Sequence, residues 1–412
     1  MNPTTHSYMH TLPSLTLRVR LLLVALVASA CCLIPAVNAE KAHAARGMEI
    51  ALQDDEAFVN LGYYKNRERA LQYARSLGVT RIRMVVNWTQ TLGEDQNNAK
   101  TKPAALGYNF EKYQQAIDAA ARYGIRVHLS LAGPAPAWAT SNKKAGPRNP
   151  DPADYEEWVG RAVDHFKGRV DRYSIWNEPN WFTWLAPLRT AARQYRQLYT
   201  RGYRAIKTRD SRAKVLIGET VPYRQPGRSQ APLAFLRALG CVNRSYRHRR
   251  CAGLRTDGYA HHPYDFQRSP NKPRPGRDNA TIASLNNLTR GLDRLSRAGA
   301  LRKVGGGRLS VFLTEDGYFA SGRRQVRRRL QGPYLKRSFQ IALRNRRVRS
   351  MLQYLLISPP PGSAQRFFDT GLMTTRGRKH PTYGALRSFY RQNRRKVKRL
   401  RGPIVLPPAP PN

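Results

Sequence analysis

Acidic residues are scarce in this chain: Asp and Glu number 26 across 412 residues, against 72 Lys and Arg, for a formal net charge of +46. A charge of that size attracts polyanions such as nucleic acid, anionic glycans or a membrane surface. The basic residues run along the whole chain rather than on one concentrated face, which argues against a dedicated nucleic-acid reader. Cysteine is scarcer still, with four residues in all. Two of them, Cys31 and Cys32, fall in an N-terminal segment expected to be removed. Cys241 and Cys251 are left to form a disulfide closing a local basic loop. A metal site there lacks ligands, His248 being the one nearby candidate. Long apolar runs are also missing. The only one, Leu21 to Ile34, is too short for a comfortable membrane span. It follows Arg18 and Arg20 and precedes small residues, the pattern of a secretory signal peptide over 1–39, cut after Ala39 or as late as Ala44. Ala28-Ser29-Ala30-Cys31 lacks the leucine that would mark a lipoprotein box.

What is plentiful is alternation. The chain is 41% hydrophobic and 9% aromatic, enough for a sizeable core. Strands are expected at Met48–Gln53, Ile82–Trp88, Val127–Ala132, Val170–Trp176, Lys214–Gly218, Gly258–His262, Ser310–Thr314 and Ser350–Ile357. They are near-continuous apolar runs, as strands buried on both faces should be. Amphipathic helices fall between them, Arg67–Leu77 and Phe110–Tyr123 each stopping at a glycine. Eight such units make a single α/β domain over 45–391, a (β/α)8 barrel with long loops after its strands. No internal repeat or second-domain boundary is visible. Residues 392–412, a basic run and then Pro-Pro-Ala-Pro-Pro-Asn, are expected to fray into solvent.

In such a barrel, chemistry belongs at the C-terminal ends of the strands. Tyr173-Ser174-Ile175-Trp176-Asn177-Glu178-Pro179-Asn180 places a carboxyl at the tip of strand four, where Pro179 stops the strand. Val311-Phe312-Leu313-Thr314-Glu315 places a second at the tip of strand seven. Arg83 and Trp88 come from strand two, His128 from strand three, and His262 and Tyr264 from strand six. His261 and His262 point to opposite sides of their strand, and His262 is taken as the inward one. The pair completes no known ligand spacing, so no metal is expected. Glu219, at the tip of strand five, reads as structural. Two glutamates facing one barrel mouth are what glycoside hydrolysis needs, one to protonate the leaving oxygen and one to attack the anomeric carbon or activate water. That chemistry requires no cofactor.

Asn-Glu-Pro on strand four with Thr-Glu on strand seven resembles clan A, the large retaining clan of (β/α)8 glycoside hydrolases. Ile175-Trp176-Asn177-Glu178-Pro179-Asn180 is similar to the acid/base strand of family 39 and family 5 enzymes. Ile82-Arg83-Met84-Val85-Val86-Asn87-Trp88 is similar to the second strand of family 5. The resemblance implies Glu178 as acid/base, Glu315 as nucleophile, Asn177 on the sugar 2-hydroxyl and Arg83 beside Glu315, with His128, His262 and Tyr264 lining the cleaved sugar. The sequence departs from the clan in having no tryptophan after strand eight, where Gln353 or Tyr354 is expected to substitute. Trp88, Trp138 and Trp181 fall on strand ends or beyond, where aromatic faces suit pyranose rings. The expectation is an exported retaining glycosidase of the cell envelope or exterior, acting on a β-linked oligo- or polysaccharide. Its charge would hold it near an anionic cell-wall polymer, with no specific nucleic-acid partner. The competing reading is a barrel that binds glycans or polyanions without catalysis.

Overall fold

Eight parallel strands close into a barrel in the computed structural model, which describes residues 47–247 and 251–408. They are β1 (Glu49–Gln53), β2 (Arg81–Asn87), β3 (Arg126–Ala132), β4 (Arg172–Ile175), β5 (Lys214–Thr220), β6 (Gly258–His261), β7 (Val311–Leu313) and β8 (Val348–Tyr354). Each pairs with the next, and β8 returns to β1. The helices that follow them in turn are α1 (Arg67–Ser76), α2 (Glu111–Arg122), α3 (Pro152–Phe166), α4 (Leu188–Arg209), α5 (Pro232–Leu239), α6 (Leu285–Arg297), α7 (Arg328–Arg344) and α8 (Pro381–Asn393). This is the (β/α)8 barrel expected from the alternation. The expected leader over 1–39, its alternative cut near residue 44, Cys31 and the last four residues lie outside the described residues. No helix among the described residues is long and apolar enough to cross a membrane.

Local rules explain the element ends. Asp151 caps α3 by accepting from the backbone N–H groups of Ala153 and Asp154, with Pro152 preset in the first turn. Helices α1 and α2 stop where Gly78 and Gly124 take left-handed φ values of 76° and 70°. Strand β4 ends one residue before the expected limit. Trp176 takes a φ of 66°, which breaks the pleat before Pro179 is reached.

Apolar residues pack between the outward faces of the strands and the helices: Ile50, Ile82, Met84, Leu129, Leu131, Ile175, Val215, Ile217, Val311 and Leu313 are all essentially inaccessible. Inside the barrel Leu216, Ala260 and Phe312 form an apolar cluster. Charged groups lie at both ends of the interior. At its floor, buried Glu49 accepts from Arg81 at 3.1 and 3.2 Å and from Arg172 at 2.7 Å. Arg81 also bonds Asp171 at 2.6 Å, and Lys398 reaches Glu49 at 3.1 Å.

Lys398 belongs to the segment expected to fray, and the expectation fails there. Val397 is buried and bridges to Met48, and Ile404 donates its N–H to the carbonyl of Ala121. Arg169 donates to the carbonyl of Pro407. The segment has backbone hydrogen bonds and apolar side chains to bury, so it lies across the N-terminal end of the barrel. On that same end Cys241 and Cys251 form the expected disulfide, with an S–S distance of 2.01 Å.

Burial pushes the Glu49 carboxyl up, but Arg81, Arg172 and Lys398 outweigh it and hold its pKa well below the usual carboxylate range. Its stabilisation is therefore complete at neutral pH and is lost as pH falls through that depressed value. Glu49→Ala takes the carboxylate from the buried Arg172 and leaves Arg81 with Asp171 alone, and should cost about 3–5 kcal/mol. Urea unfolding at pH 7 measures the loss. A change under 1 kcal/mol would mean that the cluster does not anchor the barrel floor.

Candidate active site

At the opposite end of the barrel, one buried guanidinium organises the polar groups. Arg83 projects inward from β2 and donates to Glu315 at 2.7 Å, Asn177 Oδ1 at 2.7 Å and Ser130 at 3.2 Å. It also donates to Gln53 and lies 3.2 Å from Glu219. The strand tips β1, β3, β4, β5 and β7 thus meet on one side chain, 1% exposed.

Glu178 stands on the turn that ends β4. Its φ is 41°, and the backbone is held by its own N–H on the carbonyl of Glu219 at 3.0 Å. Asn180 staples the same turn to the β5 loop, accepting from the N–H of Val221 and donating to the carbonyls of Val221 and Gln230. Left-handed non-glycine residues cost of order 1–3 kcal/mol and persist where the surroundings over-determine them. Trp176 and Glu178 are both of this kind.

Strict alternation from inward Leu216 would send Glu219 outward. A β-bulge between Gly218 and Thr220, with Glu219 at φ 51°, turns it inward instead. There it is inaccessible and accepts from Thr314 at 2.6 Å, from Ser174 and from His262 Nε2 at 2.8 Å. The structural role read from the sequence holds only in part, because Glu219 sits inside the site. His262 completes the group: its Nδ1 bonds Glu178 at 2.8 Å and lies 3.7 Å from Glu315. Tyr264 donates its hydroxyl to Glu315 at 3.1 Å. His261 faces away, onto Thr220 and the carbonyl of Ala280.

The structure therefore brings Glu178, Glu315, Asn177, Arg83, His262 and Tyr264 together, and leaves other candidates elsewhere. His128 lies one layer lower, on Ser174 at 2.5 Å and 3.9 Å from Glu219. Trp88 is fully buried, stacked on Trp158 at 5.5 Å, and Trp138 packs edge-on against it. Trp88 is a plug in apolar packing, and Trp138 is taken up by Trp88 and by Lys102, 5.5 Å over its ring. Gln353 points out of the barrel and donates to the carbonyls of Tyr354 and Thr370. Tyr354, its alternative, is on the inward register and packs against Phe368 from the β8 loop. Trp181 is half-buried on the β4 rim. Besides Glu219, sequence reasoning missed Gln53, Ser174 and Thr314, whose only signal was a polar residue in an otherwise apolar strand.

Burial opposes a charge on His262, but Glu315, Glu178 and Glu219 outweigh it and hold its pKa up at about 9. Burial likewise raises Glu178, against the lowering pull of His262. Burial would raise Glu219 too, yet Arg83, His262 and His128 together pull it well below the ordinary range. Glu178, His262 and Glu315 offer ligand atoms within 4.8 Å of one another and form a group with the donors for a metal ion. A cation there would need a neutral His262 free at Nδ1. The ring instead bonds carboxylates through both nitrogens, so the imidazolium supplies the positive charge.

No family model matches this sequence, and no curated protein is similar to it in sequence. Solved structures do match. A family 39 glycoside hydrolase from Bacteroides cellulosilyticus WH2 superposes with a TM-score of 0.58 at 19% identity, covering 84% of this chain and 63% of that one. GH5_18 from Streptomyces cattleya, in complex with GlcNAc, gives 0.58 at 16% identity, over 87% and 83%. Xylanase 10B from Thermotoga maritima gives 0.55 at 16% identity, over 86% and 97%. The likeness is one of fold. Families 39 and 5, to which the strand motifs pointed, are both among these neighbours. This chain spans less than two thirds of the first of them.

The raised pKa of His262 is a statement about stability. The contribution is complete below 6.5 and disappears as pH rises through about 9. Glu219→Gln removes one of the anions responsible, so the His262 pKa should fall in an NMR titration of its ring. An unchanged value would show that Glu219 does not hold the proton on His262.

Proposed function

We propose that this protein is an exported retaining glycosidase acting on a β-linked glycan. The observation that carries the reading is the pairing of Glu178 and Glu315 across the mouth, on the tips of β4 and β7, with carboxylate oxygens within 4.8 Å. Retaining enzymes hold their two carboxyls about 5–5.5 Å apart, whereas inverting ones leave about 6.5–9.5 Å for a water. The environments divide the roles. Glu315 takes the Arg83 guanidinium and the Tyr264 hydroxyl, two donors that fix where its carboxylate points. Glu178 has no such cation but His262, and burial raises it, as a general acid requires.

The cycle then runs on these residues. Glu315 attacks the anomeric carbon while Glu178 delivers a proton to the departing oxygen. The glycosyl-enzyme ester is cleaved by a water that Glu178 deprotonates. Asn177 accepts from Arg83 at its Oδ1, which assigns its amide N–H groups to a sugar hydroxyl. Arg83 thus orients both the nucleophile and the group that reads the sugar. Export is supported by the leader pattern and by the Cys241–Cys251 bridge, which belongs to an oxidising compartment. The net charge of +46 supports retention on an anionic wall polymer.

Incubation with activated 2-deoxy-2-fluoro β-glycosides should trap the ester, seen as a mass gain on the Glu315 peptide that disappears in Glu315→Gln. Labelling of any other carboxylate would overturn the assignment. In Glu178→Ala, kcat/KM for substrates with poor leaving groups should fall about 10²–10⁴-fold. Substrates with good leaving groups should lose far less at the bond-cleaving step. The basic limb of the pH profile, set by Glu178 above the ordinary carboxylate range, should vanish in Glu178→Gln. A limb that survives would assign the acid elsewhere.

A further inference from the structure

The mouth of the barrel is electrically lopsided. The loops after β1 to β4 (54–66, 88–110, 133–151 and 176–187) carry six Lys and Arg against seven Asp and Glu. Those after β5 to β8 (221–231, 262–281, 314–327 and 355–380) carry thirteen against five. A merely Arg-rich composition would load both halves alike, and the β4 loop has no Lys or Arg at all.

Two of those five carboxylates already neutralise arginines of this half, and none is left over for the rest. Glu315 is the proposed nucleophile, and Asp316 is buried behind it. Asp265 is inaccessible to solvent and taken by Arg274 at 2.6 Å. Asp369 is buried and paired with Arg366 at 3.2 Å, and Asp278 holds Arg237 through two bonds of 2.7 Å. Arg224, Arg228, Arg323 and Arg327 stand exposed on this half.

Two of the cations are fixed on aromatic faces. Arg324 lies 4.5 Å over Phe319 and donates to the carbonyl of Phe367 at 3.2 Å; Arg274 lies 4.0 Å over Tyr223. Phe319 stacks on Phe266 at 5.0 Å, and Phe266 on Tyr264 at 4.5 Å, the tyrosine that holds Glu315. A continuous stack of rings therefore joins the reactive carboxylate to the guanidinium on the rim. Arginine presents a planar fork that matches a carboxylate or sulfate in two parallel bonds.

We propose that the β5–β8 half of the mouth is a recognition surface for an anionic glycan, whose acidic sugars lie over Arg324 and its neighbours while the chain enters toward Glu315. The proposal rests on reading this mouth as a glycan site, and it goes further in naming the substrate class and the side from which it is held.

Binding rather than turnover tests it, in full-length Glu178→Gln protein, so that failure to hydrolyse does not enter. The probes are a uronic-acid hexasaccharide and the same hexasaccharide with its carboxyls reduced to alcohols. The acidic form should bind at least tenfold tighter, and the advantage should shrink with added salt. Arg323→Glu with Arg324→Glu should abolish that advantage. Arg394→Glu with Arg395→Glu, at the far end of the barrel, should leave it intact. A sulfated neutral hexasaccharide that binds as well extends the recognised group to sulfate. Equal binding of the acidic and reduced forms, including no binding of either, overturns the proposal. So does equal loss in both double variants. An oligonucleotide of the same charge that binds as tightly would make the rim a general polyanion surface and also overturn it. Loss of labelling at Glu315 with the anionic preference intact would count against hydrolysis and leave the recognition surface standing.

Discussion

A guanidinium sealed from water is the constraint on which the upper barrel depends. Burying such a charge unpaired would cost several kcal/mol, so Arg83 has to be surrounded. Five strand tips supply the surroundings: Gln53, Ser130, Asn177, Glu219 and Glu315 all lie on it. Moving any of them leaves either an uncompensated cation or an unsatisfied acceptor. The requirement that keeps the charge stable therefore also fixes where Glu315 and Asn177 point. Positioning and stability share a cause here.

The second cation extends the same logic sideways. His262 takes Glu178 on one ring nitrogen and Glu219 on the other, so the bulged residue on β5 sets the angle of the ring that touches Glu178. Three carboxylates face two fixed cations. In the proposed cycle Glu178 starts protonated and the group is neutral; giving that proton to a leaving group would leave one negative charge over. That charge would appear as positive charge develops on the sugar, favouring an oxocarbenium-like transition state over the resting complex. Glu219 touches no place where a sugar could lie, yet without it the charge count fails.

Much of this was legible in the sequence, for identifiable reasons. Parallel strands buried on both faces produce apolar runs, so β1 to β8 were visible with errors of a few residues. Glu178 and Glu315 were visible because Pro179 and the end of the Val311–Leu313 run mark strand tips. Two-residue alternation showed that only one of His261 and His262 could face inward, and His262 is the one that does. The failures have physical causes too. Alternation assigns Glu219 to the wrong face because one inserted residue reverses it. Trp88 and Trp138 lie on strand ends as a sugar platform would, but helix α3 offers Trp158 and Tyr155 as partners, and ring-on-ring packing took them into the core. Gln353 misled for a related reason: the neighbouring Tyr354 holds the inward register. The tail misled because composition shows charge and proline but not the carbonyls and apolar pockets waiting at the floor of the barrel.

Those departures bear on how the mouth handles its ligand. Without a tryptophan after β8, the aromatic surface near Glu315 is assembled from distant pieces. Phe368, in the short turn Ala364–Phe368, sets its ring edge-on against Tyr264, Phe266, Phe319 and Tyr354 at 5.3–5.7 Å. A ring that touches four others is placed by all of them, so the β8 loop becomes a wall rather than a flap. Asp369, next along the chain, is buried on Ser321 and Arg366 and pins the turn to the β7 loop. Arg324 and Arg274 are consequently mounted on rigid aromatic packing. Under the proposed recognition of an anionic glycan, these two side chains would have little conformational entropy left to lose when an anion meets them.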